Sequence, residues 1–301
     1  MAETGHTECS QRMMHVCTGF VAEVTAGERL SDLDLEMLRS IAAVHSVIVF
    51  RALSLNPLEL VELASSLGPA EIVWDVLNRH PLTDSVQILS NQGRTPSVGA
   101  EQWHTDRSFM TKPTRHTLLY PVALPHTGGD TLFADMKAAY QHLSPTTQET
   151  LEEAVGVHSY GTLGSLRARE HGQELEKAYA DECREARHPI VRAHPETNEP
   201  ALYLNALCLD RVESPDGEAI DVSLDELYQH ATDPRFVYAH RWRSGDVVIW
   251  DNACVMHRGT EVPNNEPRVL HRTTTQGNVP RPYSPSLTLS PTAAHDPELR
   301  R

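Results

Sequence analysis

The sequence predicts a mainly β protein: one antiparallel double-sheet barrel of the jelly-roll kind, with helices packed outside it. Three observations predict this. Apolar or β-branched runs bounded by turn residues outnumber helical patterns in the second half of the chain. Helical patterns cluster in the first half and in one insertion. The length, 301 residues, fits one large or two ordinary domains, and barrels of this size are often single.

Residues 1–15 are polar and read as a flexible N-terminus. A short strand is expected around Gly19–Val24. Ser31-Asp32 offers N-caps for a helix to about Val44, with Leu33, Met37, Ile41 and Val44 on one face. Ser46–Phe50 is a buried strand. Asn56-Pro57 caps a second helix, and Gly68 is placed to end it. Val86–Asn91 reads as a strand, and Gln92–Gln102 as a polar mobile loop. Arg115–Ala123 is a strong strand, turned by Pro125–Gly129 into Thr131–Ala134. Met136–His142 and Pro145–Val155 read as helices, the second capped by Ser144. Residues 160–187 are rich in Arg, Glu and Ala and read as a helical insertion, either a solvated surface helix or a lid. His188–Ala193 and Ala201–Leu204 form a hairpin. Ser223 caps a helix to about Ala231. Phe236–Trp242, Val247–Trp250, Val255–His257 and Val269–Gln276 complete the strands. The domain is expected over 16–282, and 283–301 as a flexible tail rich in Pro and Ser.

The composition is ordinary for a globular protein, 40% apolar and 22% charged. A net charge of −15 argues against nucleic acid and anionic membrane surfaces as partners. Cys9, Cys17, Cys183, Cys208 and Cys254 are odd in number and contain no Cys-x-x-Cys pair. That fits unpaired thiols in a reducing cytoplasm. No apolar run is long enough to span a bilayer, and the N-terminus lacks a secretory pattern.

The chemistry gathers at Trp103-His104-Thr105-Asp106, which closes a predicted strand. Residues i and i+2 of a strand share a face, so His104 and Asp106 can turn a nitrogen and a carboxylate oxygen towards one metal ion. Alone, His-x-Asp is common by chance. Far downstream, the strand ending at Trp250-Asp251-Asn252 leads into His257, a third donor. Two His and one carboxylate make the facial set that leaves positions open on non-haem Fe(II). The same set could hold Zn²⁺ in a hydrolase. Arg268 and Arg272, four apart, share a strand face, and Gly128-Gly129-Asp130-Thr131 delivers a hydroxyl at the start of a strand. A dianionic co-substrate chelating iron at one end needs a cation and a hydroxyl at the other, and Arg supplies a planar fork for carboxylate. Taken singly, each residue has a plain alternative. The histidines could be core residues, Thr131 a β-branched strand residue, the arginines surface ion-pair partners, and Cys254 a small core side chain.

Trp-His-Thr-Asp, Gly-Gly-Asp-Thr, Trp-Asp-Asn…His and Arg-x-x-x-Arg, in that order from about Ser31 to Pro282, resemble the taurine dioxygenase and 2,4-dichlorophenoxyacetate dioxygenase (TauD/TfdA) family. These are Fe(II)- and 2-oxoglutarate-dependent oxygenases. The resemblance implies a double-stranded β-helix, cupin-like core with iron at its open end. It implies that His104, Asp106 and His257 bind Fe(II) and that Thr131 and Arg268 hold the distal carboxylate of 2-oxoglutarate. Arg272 would reach the co-substrate or an anionic substrate group. O₂ would be consumed, 2-oxoglutarate would give succinate and CO₂, and an unactivated C–H bond would be oxidised, hydroxylation foremost. An acid at position 106 argues against a halogenase.

The stretch Leu67–Val73 has no His where the taurine enzyme has one, and Gly99–Gln102 lacks that enzyme's Asn. A sulfonate pocket is therefore not expected. The expected substrate is a small, carboxylate-bearing molecule met by Arg272, with Arg107 as a second positive group. Two other classes stay open on the residues: a zinc hydrolase, and a relative that binds 2-oxoglutarate without turnover. A homo-oligomer is compatible with the chain.

Overall fold

The computed structural model describes residues 14–25, 27–92, 101–160, 185–263 and 265–285. Its strands are β1 (Met14–Thr18), β2 (Val21–Thr25), β3 (Val47–Phe50), β4 (Arg79–His80), β5 (Thr83–Ser90), β6 (Thr114–Ala123), β7 (Thr131–Asp135) and β8 (Val155–Ser159), then β9 (Glu185–Pro189), β10 (Val191–Ala193), β11 (Pro200–Leu202), β12 (Leu209–Glu213), β13 (Val237–His240), β14 (Val247–Asp251), β15 (Val255–Gly259) and β16 (Val269–Gln276). Helices are α1 (Leu35–Val44), α2 (Pro57–Ser65), α3 (Met136–Gln141), α4 (Pro145–Glu152) and α5 (Leu224–Ala231).

The largest sheet runs β1-β2-β3-β14-β6-β16-β5-β4, and the smaller sheets are β13-β7-β15, β12-β8-β9 and the hairpin β10-β11. Pairing is antiparallel except for β2 with β3, which are parallel because α1 carries the chain back between them. The centre of the large sheet is apolar on both faces. Val47, Val49, Val248 and Trp250 turn inwards to Phe133, Val255 and Met256 of the β13-β7-β15 sheet. Ile48, Phe50, Val247 and Ile249 turn outwards to Leu38 and Ile41 of α1 and Leu60 and Leu63 of α2. This alternation makes a barrel interior on one side and a helix-covered face on the other. Leu60 and Leu63, both fully buried, together contribute about 3–6 kcal/mol of apolar burial. The mainly β, jelly-roll expectation therefore holds, with the helices outside.

Several boundaries differ from expectation. The cap of α1 is Asp34, whose carboxylate accepts from Glu36 N and Met37 N; Asp32 is already engaged by the Arg29 N–H, and Ser31 lies in a 3₁₀ turn. α2 ends at Ser65 with Ser66 as its C-cap, so Gly68 lies beyond the C′ position. α4 ends at Glu152, and Val155 opens β8 instead of closing a helix. Gly156 disguised that strand. A Cβ there would meet Ile190 Cδ1 at 2.8 Å and Leu209 Cδ1 at 2.9 Å, so the glycine answers to packing. The expected strand His188–Ala193 is split: β9 pairs with β8, and β10 pairs with β11.

Glu185–Arg187, expected inside a helical insertion, is strand. The rest of that insertion (161–184), the N-terminal residues 1–13, the loop residues 93–100 and the tail 286–301 lie outside the described residues. Among the described residues, no helix is long and apolar enough to cross a membrane.

Candidate metal centre and its surroundings

His257 sits in β15, on the inner sheet, opposite Phe133 of β7. Its ring packs on Trp250, centroids 4.5 Å apart, and faces Phe133 at 6.3 Å. Its Nδ1 is buried without a hydrogen-bond partner among the described residues, so packing alone holds the ring. His104 pairs with His257 as an isolated antiparallel bridge. His104 N donates to His257 O at 3.0 Å, and His257 N to His104 O at 2.9 Å. Reciprocal bonding of this kind puts both side chains on one face, and the ring centroids lie 4.2 Å apart. Asp106 follows on the same side.

The expected strand end at 103–106 is in fact this single bridge followed by a turn, so the segment has no ladder to satisfy its backbone. Side chains and loops do so instead. Ala206 N donates to Trp103 O, Asn205 Nδ2 donates to Thr105 O at 2.7 Å, and His188 Nε2 donates to Ser108 O and Met110 O. Asp106 N donates to Asn252 Oδ1 at 3.1 Å. Thr105 Oγ1 reaches the carbonyls of Leu204 and Val255.

One donor atom from each of His104, Asp106 and His257 lies within 4.8 Å of the others. His104 Nδ1 donates to Gln102 O at 2.7 Å, so Nε2 carries the lone pair. Burial, seconded by His104, pushes His257 well below the usual imidazole range, against the pull of Asp106. Burial would raise the Asp106 carboxyl, but Arg272, the two imidazoles and Thr117 hold it well below the usual carboxylate range. His257 is thus held neutral and Asp106 ionised, the protonation states that metal ligation requires of them. The set fits the facial triad of a non-haem Fe(II) site.

Arg272, on β16, lies at this centre: Nη2 is 2.6 Å from Asp106 Oδ1, and Nη1 donates to Gln87 Oε1 at 3.2 Å. Arg268 and Thr131 meet at the double-glycine turn. Gly128 and Gly129 both take φ near +73°, a conformation favouring glycine. A Cβ on Gly129 would come within 3.0 Å of Arg268 Cδ, and Arg268 Nε donates to Gly129 O at 3.0 Å. Among the described residues its guanidinium has no ion-pair partner, and burial lowers it to about 10 although Asp130 opposes. Thr131 Oγ1 accepts from Trp242 Nε1 at 3.0 Å, which leaves its own proton for an acceptor.

Arg107 is placed differently. It has φ of +54°, pairs with Glu71 at 3.2 Å and lies over the Trp74 ring. Glu71 therefore already neutralises it. His271 faces away, against His80.

A second donor group, His194, Asp251 and Cys254, is deeply buried. Arg115 Nε and Nη2 take both Asp251 oxygens, at 2.9 and 2.6 Å, and His194 Nε2 adds a third contact at 2.9 Å. A cation there would have to expel Arg115, so this is an ion-pair core beneath the Asp251-Asn252 turn. Sequence reasoning missed Thr117, Asn205, His188 and the role of Asn252. Asn252 stood inside a motif already singled out; the others carry no local signal.

The family model described as "Taurine catabolism dioxygenase TauD, TfdA family" matches residues 15–274. The chain is 30% identical over 275 residues to the alpha-ketoglutarate-dependent 2,4-dichlorophenoxyacetate dioxygenase of Cupriavidus pinatubonensis, covering 85% of this chain and 93% of that one. It is also 30% identical to the alpha-ketoglutarate-dependent sulfate ester dioxygenase of Pseudomonas putida, over 89% of this chain and 90% of that one. The crystal structure of AAD-2 in complex with Mn(II) and N-oxalylglycine superposes with a TM-score of 0.72 at 28% identity, over 90% of this chain and 98% of that one. The chain belongs to the TauD/TfdA family of dioxygenases.

Proposed function

We propose that this protein oxidises a C–H bond of a small anionic molecule, giving a hydroxylated product, with 2-oxoglutarate and O₂ converted to succinate and CO₂. As a member of its family it is a 2-oxoglutarate-dependent, non-haem iron dioxygenase. The observation carrying the finer reading is the convergence of His104, Asp106 and His257 with the Arg272 guanidinium 2.6 Å from the carboxylate. His104, Asp106 and His257 would hold Fe(II). Bound there with 2-oxoglutarate, Fe(II) couples decarboxylation of the co-substrate to oxidation of the substrate.

The chain's own residues orient and enclose. Arg268, its Nε tied to Gly129, offers its remaining N–H fork to the distal carboxylate of 2-oxoglutarate, and Thr131 offers its free proton. Arg272, whose Nη2 pairs with Asp106, turns its other N–H groups to the anionic group of the substrate once a metal shares that carboxylate. Arg107, held by Glu71, adds no net charge and lines a wall with Trp74. One relative named above is a 2,4-dichlorophenoxyacetate dioxygenase and the other a sulfate ester dioxygenase, which supports an acidic substrate. A zinc hydrolase on the same three ligands would leave Arg268 and Thr131 without a partner.

The test is succinate release over a panel of small carboxylates, sulfonates and sulfate esters, each beside a neutral isostere. The reading expects stimulation by an anionic member and loss of that preference in Arg272→Met. Equal stimulation by the neutral isosteres would overturn the substrate class.

A further inference from the structure

The Asp106 carboxylate is held by a relay whose every proton can be assigned. Asn252 Oδ1 receives two donors, Asp106 N at 3.1 Å and Trp250 Nε1 at 3.2 Å. That fixes the amide orientation and turns Nδ2 towards Arg115 O at 3.3 Å and Thr117 Oγ1 at 2.9 Å. Because Nδ2 can only donate, Thr117 Oγ1 accepts from it. The single Thr117 proton is then free for one acceptor, Asp106 Oδ2, 2.6 Å away. Thr117 and Asn252 are buried, at 0% and 1% exposure, so no water replaces these bonds from bulk. The other carboxylate oxygen, Oδ1, lies 4.0 Å from His257 Nε2 and pairs with Arg272 Nη2 at 2.6 Å, so it is the oxygen on the side of the imidazole, and a metal there shares it with that guanidinium.

We propose that Thr117, oriented by Asn252, is a positioning residue: its hydroxyl pins Oδ2 of Asp106 and so fixes Oδ1 as the metal-binding oxygen. The backbone explains how. Thr117 lies on β6 directly opposite Trp250 of β14, and Asn252 lies two residues beyond Trp250. The large sheet thereby sets the ligand on the neighbouring turn. A hydroxyl donated to the distal oxygen also withdraws charge from the carboxylate, and partners of this kind tune metal affinity.

This inference rests on the metal-site reading above, and the experiment separates the two. The probe is anaerobic titration of the purified full chain with Co(II) or Fe(II), then with 2-oxoglutarate, for the wild type and for Thr117→Ser, Thr117→Ala and Thr117→Val. Thr117→Ser should keep wild-type affinity. Thr117→Ala and Thr117→Val should bind metal about ten- to a hundredfold more weakly. Their Fe(II)–2-oxoglutarate absorption should move to lower energy, because Asp106 relieved of the proton is the stronger electron donor. Ser and Ala differ only by the hydroxyl, so that pair decides the matter even if Thr117→Val does not fold. Folded Ala or Val variants with wild-type affinity and band position would overturn the proposal. A wild-type protein that binds no metal would overturn the site reading itself.

Discussion

Arg268 gives the sharpest quantitative prediction for co-substrate binding. Its guanidinium is largely buried, has no ion-pair partner among the described residues, and spends only its Nε–H on Gly129. The rest of the fork is available for a carboxylate. Truncating one partner of a buried, hydrogen-bonded charge pair costs about 2–5 kcal/mol. At about 1.4 kcal/mol per factor of ten, Arg268→Met should weaken 2-oxoglutarate by about thirtyfold to several thousandfold. Arg268→Lys keeps the charge but loses the fork and the Gly129 anchor. One lost charge-assisted bond of about 1.5–3 kcal/mol gives about ten- to a hundredfold. The assay is calorimetric titration of Mn(II)-loaded protein with 2-oxoglutarate, with Mn(II) affinity measured separately. The loss should fall on 2-oxoglutarate while Mn(II) affinity stays at the wild-type value. A folded Arg268→Met protein binding 2-oxoglutarate within threefold of wild type would refute the reasoning.

Three other outcomes follow from the same geometry. Asp251→Asn breaks a buried pair bonded twice by Arg115, which should cost about 3–5 kcal/mol and lower the calorimetric midpoint by roughly 5–8 °C. His194 is raised to about 10: burial opposes its charge, but bonding to Asp251 and Cys254 outweighs burial. Its stabilisation should therefore be full below its ordinary value near 6.5 and fade as pH rises towards 10. The midpoint difference between wild type and His194→Gln should shrink over that interval; a constant difference would contradict it. Asn205→Leu takes the side-chain partner from Thr105 O and Leu207 N and one of two partners from Ser108 Oγ, so thermal stability and Mn(II) affinity should fall together in parallel melting and binding measurements.

The parts of this protein legible in its sequence are those with one-residue physical signatures. Asn56-Pro57 and Ser223 announced their helices because caps satisfy orphan N–H groups locally. Gly128-Gly129 announced the turn because both residues take positive φ. The spacing of His104 and Asp106 was informative although no strand underlies it, since two residues suffice to return to one face. What stayed hidden depends on contacts between distant segments. β8 was obscured by Gly156, whose missing side chain makes room for Ile190 and Leu209. Thr117 is one more β-branched residue in a buried strand until Asn252, 135 positions away, fixes its proton. Arg107 looked like a free cation beside Asp106; only the fold brings Glu71 against it.

The central claim is that His104, Asp106 and His257 hold an iron ion that 2-oxoglutarate chelates. Anaerobic visible absorption of the apoprotein titrated with Fe(II) and 2-oxoglutarate, beside His104→Ala, tests it most directly. The account predicts a weak visible charge-transfer band that saturates with one equivalent of each and vanishes in the variant. No band in the wild type at saturation, or an undiminished band in His104→Ala, would contradict it.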